Sequence, residues 1–137
     1  MPQQQEVPQQ QEATQQQVSA SDFGRARDDF AVAIGDDGHQ FAATLAFIDQ
    51  WFDYRPTAFR NGPVRNSSDQ NQGSCKVFGL ARLLDLDREQ TLRCFGEHYR
   101  DVLATPQADN HHNLRRVLAD GLGAIEFDSF PLAPRRG

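Results

Sequence analysis

Cys75 stands where the chain leaves a wholly polar run, Asn66 to Ser74, for the apolar-rich stretch Cys75-Lys-Val-Phe-Gly-Leu-Ala-Arg-Leu-Leu84. A cysteine in the first turn of a helix feels the positive end of the helix dipole and unpaired N–H groups, both of which favour thiolate. Lys76 is the only lysine in the chain, the other basic residues being arginine, and it adds to that field. A nucleophilic thiol also needs a base and an orienting group. Of the histidines at positions 39, 98, 111 and 112, His111 or His112 with Asn113 or Asp109 supplies them. The chemistry on offer is acyl transfer or hydrolysis, with Cys75 as nucleophile, His111 as base and Asn113 beside it. The competing reading makes Cys75 a small buried residue that packs its helix. His98, Asp101, His111 and His112 lack the close ligand spacings of zinc sites, so no metal is expected. No glycine-rich phosphate loop occurs and no cofactor is expected.

The elements that must position these residues are mainly helical. Phe23, Ala26, Phe30 and Ile34 keep helical spacing, with Ser21 placed to cap the start and Gly35 to end it. Phe41, Leu45, Ile48 and Phe52 predict a second helix that stops before Pro56. Tyr54 to Arg60 reads as extended chain leading into the turn Asn61-Gly62-Pro63. Ser74 is a suitable cap for a third helix. Asp87-Arg-Glu-Gln90 fits a capping box ahead of Leu92, Phe95, Tyr99 and Val102, which predict one continuous fourth helix. Asn110 is placed to cap a fifth, carrying Leu114, Val117, Leu118 and Leu122 and ended by Gly121 and Gly123. Ile125-Glu-Phe127 alternates like a short strand, and Pro131 to Gly137 reads as a basic tail.

The chain has 137 residues, enough for one domain rather than two. Its N-terminal stretch repeats Gln-Gln-Gln with almost nothing apolar to bury, so residues 1–20 are expected to be a disordered extension. The predicted fold is α+β, mainly α: a small single domain of about five helices with a minor strand pair. Its expected bounds are 21–132, with 133–137 as a C-terminal tail. No run of 18 apolar residues occurs, and the first residues carry neither a basic stretch nor an apolar one, so a soluble, cytoplasmic chain without a Sec signal is expected. A net charge of −5 disfavours nucleic acid and anionic membrane as partners. Cys75 and Cys94 are too few for a disulfide framework and read as thiols.

Two resemblances bear on function. Gln70-Asn-Gln-Gly-Ser-Cys75 is similar to the segment around the nucleophile of papain-like thiol proteases, with Lys76 where those enzymes place an aromatic residue. Over a far longer span, Tyr54-Arg-Pro-Thr-Ala-Phe-Arg-Asn-Gly62, Gln70-Asn-Gln-Gly-Ser-Cys-Lys76, Phe95-Gly-Glu-His-Tyr-Arg-Asp-Val102 and His111-His-Asn-Leu-Arg115 resemble, in order, the HopJ family of type III effector proteins. That resemblance runs from about Phe41 to Leu132. The family commonly has an acidic residue where Gln72 stands. The resemblance implies an effector or small interaction protein, delivered through a type III apparatus to an unidentified protein target in a host cell. Its motifs concentrate polar residues: Thr57, Asn61, Asn71, Ser74, Lys76 and Arg115 are the candidate binding residues, with His111 and Asn113. Because the 66–76 loop and the 111–115 segment both open helices and bring free N–H groups, they are expected to share one face and form a polar pocket.

Overall fold

The computed structural model describes residues 20–135. In chain order these form α1 (Ala20–Ile34), α2 (Phe41–Trp51), β1 (Phe52–Tyr54), β2 (Phe59–Asn61), β3 (Val64–Asn66), α3 (Gln72–Leu84), α4 (Arg88–Arg93), α5 (Glu97–Ala104), α6 (His112–Asp120), β4 (Ile125–Phe127) and β5 (Leu132–Pro134). The mainly helical α+β class follows from these elements. The expectation for the Gln-rich extension lies, Ala20 aside, outside the described residues.

The center of the molecule is α3. Val77 and Leu80 have no exposed surface, and Cys75, Phe78 and Ala81 are buried with them. Phe59, Leu92, Phe95 and Val117 close around this helix from β2, α4, the α4–α5 junction and α6. Each such side chain contributes roughly 1.5–3 kcal/mol by leaving water. Phe95 links two layers, stacking on Phe41 of α2 and meeting Phe78 edge-on.

The continuous fourth helix predicted from Leu92, Phe95, Tyr99 and Val102 is two helices. Gly96 interrupts it with φ +56°, and a Cβ there would lie 2.5 Å from the Phe41 backbone nitrogen. The periodicity survives the break because Leu92, Phe95, Tyr99 and Val102 all still face the core. What the pattern could not carry is the close approach of the His39–Phe41 backbone. The capping box is present as predicted: Asp87 Oδ1 accepts from Gln90 N at 2.8 Å, and Gln90 Oε1 accepts from Asp87 N at 3.0 Å.

Three predicted caps stand elsewhere. Ser21 and Ser74 lie inside α1 and α3. The residue preceding α3 is Asn71, and the one preceding α6 is His111 rather than Asn110, both with left-handed backbones. Neither caps with its side chain, because tertiary partners hold those side chains instead.

The single expected strand pair is two small sheets. β1 pairs antiparallel with β5, so Leu132–Pro134, read from composition as part of a tail, is a strand. Arg135 anchors it, donating N–H to Trp51 O at 2.9 Å and Nε to Asp49 O at 3.0 Å. The second sheet has the order β3-β2-β4. β2 and β3 meet through Gly62-Pro63, with Asn61 opposite Val64. Gly62 takes φ +62° while proline holds a negative φ after it, the combination a type II′ hairpin turn requires. The hairpin register puts Phe59, Asn61 and Asn66 on the buried face and Arg60 and Arg65 on the exposed one.

Candidate functional site

The two segments expected to meet do meet, through buried asparagines. Asn61 and Asn66 face inward from the hairpin, and Asn113 projects from the first turn of α6. Asn113 Nδ2 donates to Asn66 Oδ1 at 3.0 Å, and Asn61 Nδ2 donates to Asn113 O at 3.1 Å. Asn71 Nδ2 reaches the same Asn66 oxygen at 2.6 Å. An amide both donates and accepts, so four of them join a loop to a helix without burying a charge. Asn61 Oδ1 is the one amide oxygen of this group buried without a partner. Asn113 is thereby part of the buried network.

A second cluster surrounds Thr57. Gln72 Oε1 accepts from the Tyr54 hydroxyl and from Thr57 N, while the two protons of its Nε2 are shared among Thr57 O at 3.2 Å, Ser67 O at 3.1 Å and Gln70 O at 2.9 Å. Thr57 Oγ1 in turn accepts from Ser129 N at 3.1 Å. Sequence reasoning placed Gln72 in a loop and missed it as the hub. Its only signal was the amide standing where a carboxylate is usual, since three carbonyls require a donor.

Cys75 lies beneath this cluster with no exposed surface, its thiol pointing at Thr57 O at 3.9 Å. Burial pushes its pKa up to about 11, outweighing the opposing effect of that carbonyl contact. The helix-start argument for a depressed pKa loses here because desolvation opposes the thiolate more strongly than the first turn favours it. Lys76 sits at the rim with its ammonium 4.6 Å from the Tyr54 ring centroid. Ser74 is half-buried in the first turn of α3.

The histidine lies in a third place. His111 Nε2 is 3.1 Å from Asp101 Oδ2, and its ring meets that of His98 at 5.3 Å. No hydrogen bond joins Cys75 to His111 among the described residues; the thiol has Thr57 and the imidazole has Asp101. Arg115 fastens the connector before α6, donating to Asn110 O at 2.6 Å and Thr105 O at 2.8 Å. Among the described residues no group of three His, Cys, Asp or Glu side chains is spaced to hold a metal ion. Among the described residues no helix is long and apolar enough to cross a membrane.

A further buried chain went unnoticed in the sequence. Thr44 Oγ1 donates to Cys94 O at 2.7 Å, and His39 Nε2 lies 2.7 Å from the same hydroxyl. Thr44 has one proton and gives it to the carbonyl, so His39 must donate through Nε2–H.

The fold and its motif-bearing loops define a small, mainly helical α+β domain. The chain belongs to the HopJ type III effector protein family, whose model matches residues 28–132. Among solved structures it is similar to the crystal structure of VPA0580, a protein of unknown function, at 35% identity and a TM-score of 0.74, covering 87% of this chain and 96% of that one. None of the curated proteins matches the sequence.

Proposed function

We propose that this protein is an exported HopJ-type effector that acts by binding a host protein rather than by thiol chemistry. The observation that carries the reading is the position of Cys75: fully buried, held at Thr57 O and raised in pKa to about 11. A nucleophile needs exposure and a base within reach, and His111 is hydrogen-bonded to Asp101 instead. Thr57, Asn61, Asn71 and Arg115 then serve binding indirectly, by fixing the loops between β1 and α3 and before α6. Lys76 and the half-buried Ser74 are the two predicted binding residues whose side-chain polar groups make no hydrogen bond within the described fold.

The test is a translocation assay on the full chain fused to a calmodulin-dependent adenylate cyclase. A type III-competent bacterium should raise cyclic AMP in host cells, and the isogenic strain lacking the apparatus should not. Equal signal from both strains, or none, overturns export. Loss of the host effect in Cys75→Ser, with folding and transfer intact, returns the reading to the thiol enzyme with Cys75, His111 and Asn113.

A further inference from the structure

The outer edge of the three-stranded sheet carries an uncompensated charge in an ordered position. Glu126, Arg60 and Arg65 stand in register across β4, β2 and β3. Arg60 pairs with Glu126. Arg65, on the edge strand, has another arginine on its inner side and no hydrogen bond or ion pair of its side chain among the described residues.

The backbone parity of the sheet sharpens this. Gly62 N–H donates to Ala124 O at 3.2 Å and Asp128 N–H donates to Ala58 O at 2.9 Å, so the even-numbered residues of β2 bond toward β4. Arg60 and Arg65 therefore form a non-hydrogen-bonded pair, in which Cα atoms approach to about 4.5 Å and side chains crowd. Like charges so placed are destabilising. The same parity turns the N–H and C=O of Arg65 away from β2, out of the sheet edge. On either side the edge is closed: Pro63 has no N–H, and Ser67 N–H is bonded to Gln70 Oε1 at 3.1 Å. Along β3, Arg65 is the position left open for a strand to add.

We infer that Arg65 docks an extended, acidic segment of a partner protein, which bonds to the Arg65 backbone and sets a carboxylate beside its guanidinium. The row then reads acid, base, base, acid across four strands. A cavity of about 270 Å³ is lined by Phe59 and Arg60 of β2, Arg65 and Asn66 of β3, and Asp128 just after β4. A second copy of the chain is the wrong occupant, because antiparallel pairing of two such edges through Arg65 would oppose Arg65 to Arg65. The inference rests on the proposed function's reading of the chain as a binding protein and names its partner's chemistry.

The probe is the blocked peptide TVEVT against its counterpart TVKVT, titrated into the full chain and followed by amide chemical shifts. TVEVT should move the Arg65 amide in a saturable way, with those of Val64 and Asn66, and bind at least tenfold more tightly than TVKVT. Arg65→Glu should reverse the preference; circular dichroism checks its fold, and the exchange leaves the buried face untouched. An unmoved Arg65 amide at millimolar TVEVT, equal binding of the two peptides, or perturbation that depends on protein concentration alone overturns the inference. Peptide binding without host transfer would retain the surface and remove the effector reading; transfer with an inert Arg65 would do the reverse.

Discussion

Asn113 of α6 and Asn66 of β3 face one another in the core, with Asn113 Nδ2 donating to Asn66 Oδ1 at 3.0 Å across 47 residues of chain. This contact, with Asn61 and Asn71 around it, ties three of the four family motifs together. Asn113→Ala removes both side-chain contacts with the buried Asn66 amide and the one from Asn61 Nδ2 to Asn113 Oδ1, while the Asn61 bond to the carbonyl of residue 113 persists. A loss on the order of 2 kcal/mol is expected, read as a lower urea midpoint with an unchanged slope.

Gln72→Glu tests the hub of the second cluster. The substitution keeps the acceptor for Tyr54 and Thr57 but turns a donor toward three carbonyls, those of Thr57, Ser67 and Gln70, into an acceptor. Destabilisation of about 1–3 kcal/mol follows from leaving those carbonyls against a charge. Thermal melting at pH 7 measures it; protonating the new carboxyl at lower pH should recover part of the loss relative to the parent chain.

Gly96→Ala forces a methyl against the Phe41, Gln40 and His39 backbones at 2.5–2.8 Å, in a residue with φ +56°. Backbone cannot swing aside as a flexible side chain can. We expect a loss above about 3 kcal/mol, among the largest of any single exchange in this chain. Gly121→Ala is the control, since its positive φ is similar but no atom lies within 4 Å of the added carbon, and its cost should be markedly smaller.

Acidification should weaken the fold in two steps. Burial, with the Arg100 charge beside it, holds His39 below its ordinary 6.5, so the unfolded chain takes up a proton that the folded chain refuses. Stability is therefore full above 6.5 and falls as pH drops from 6.5 toward the folded value. The Phe41 N–H holds Glu97 below its ordinary 4.5, so its contribution is full above that value and lost as pH falls through the lower folded one. Urea midpoints from pH 7.5 to 3 should show both declines, and His39→Gln should flatten the upper one.

Cys75 should resist alkylation. With its pKa near 11 rather than the usual 9.0, its thiolate fraction at pH 8 is about a hundredfold below that of a free thiol. Mass-spectrometric mapping after iodoacetamide treatment should find Cys75 unmodified in the native state and labelled in urea. Rapid native labelling would contradict the buried position.

Much of this architecture was legible locally. The capping box at Asp87 and Gln90, the Asn61-Gly62-Pro63 turn and the helical spacing of Leu92, Phe95, Tyr99 and Val102 depend on neighbours within about a dozen residues, and the structure contains all three. The same local logic failed where a distant segment intervened. Gly96 breaks a well-patterned helix because the His39–Phe41 backbone passes against it, and Glu97 of α5 caps the start of α2 at Phe41 N, 2.8 Å away. Cys75 shows the same division at the candidate site. Its place in the first turn of a helix was readable from the chain, but its burial beneath Thr57 was not.

What the sequence by itself determined was the helical class, the turn chemistry and the family, since each lies in the order and spacing of residues along the chain. Only the tertiary structure decided that Cys75 and His111 belong to separate hydrogen-bonded clusters, that Gln72 and Asn113 are structural hubs, and that Arg65 is left uncompensated at a sheet edge. The physical reason is common to all of them. Desolvation, hydrogen-bond partnership and cross-strand register arise between segments tens of residues apart, and no local pattern encodes which groups folding will bring together.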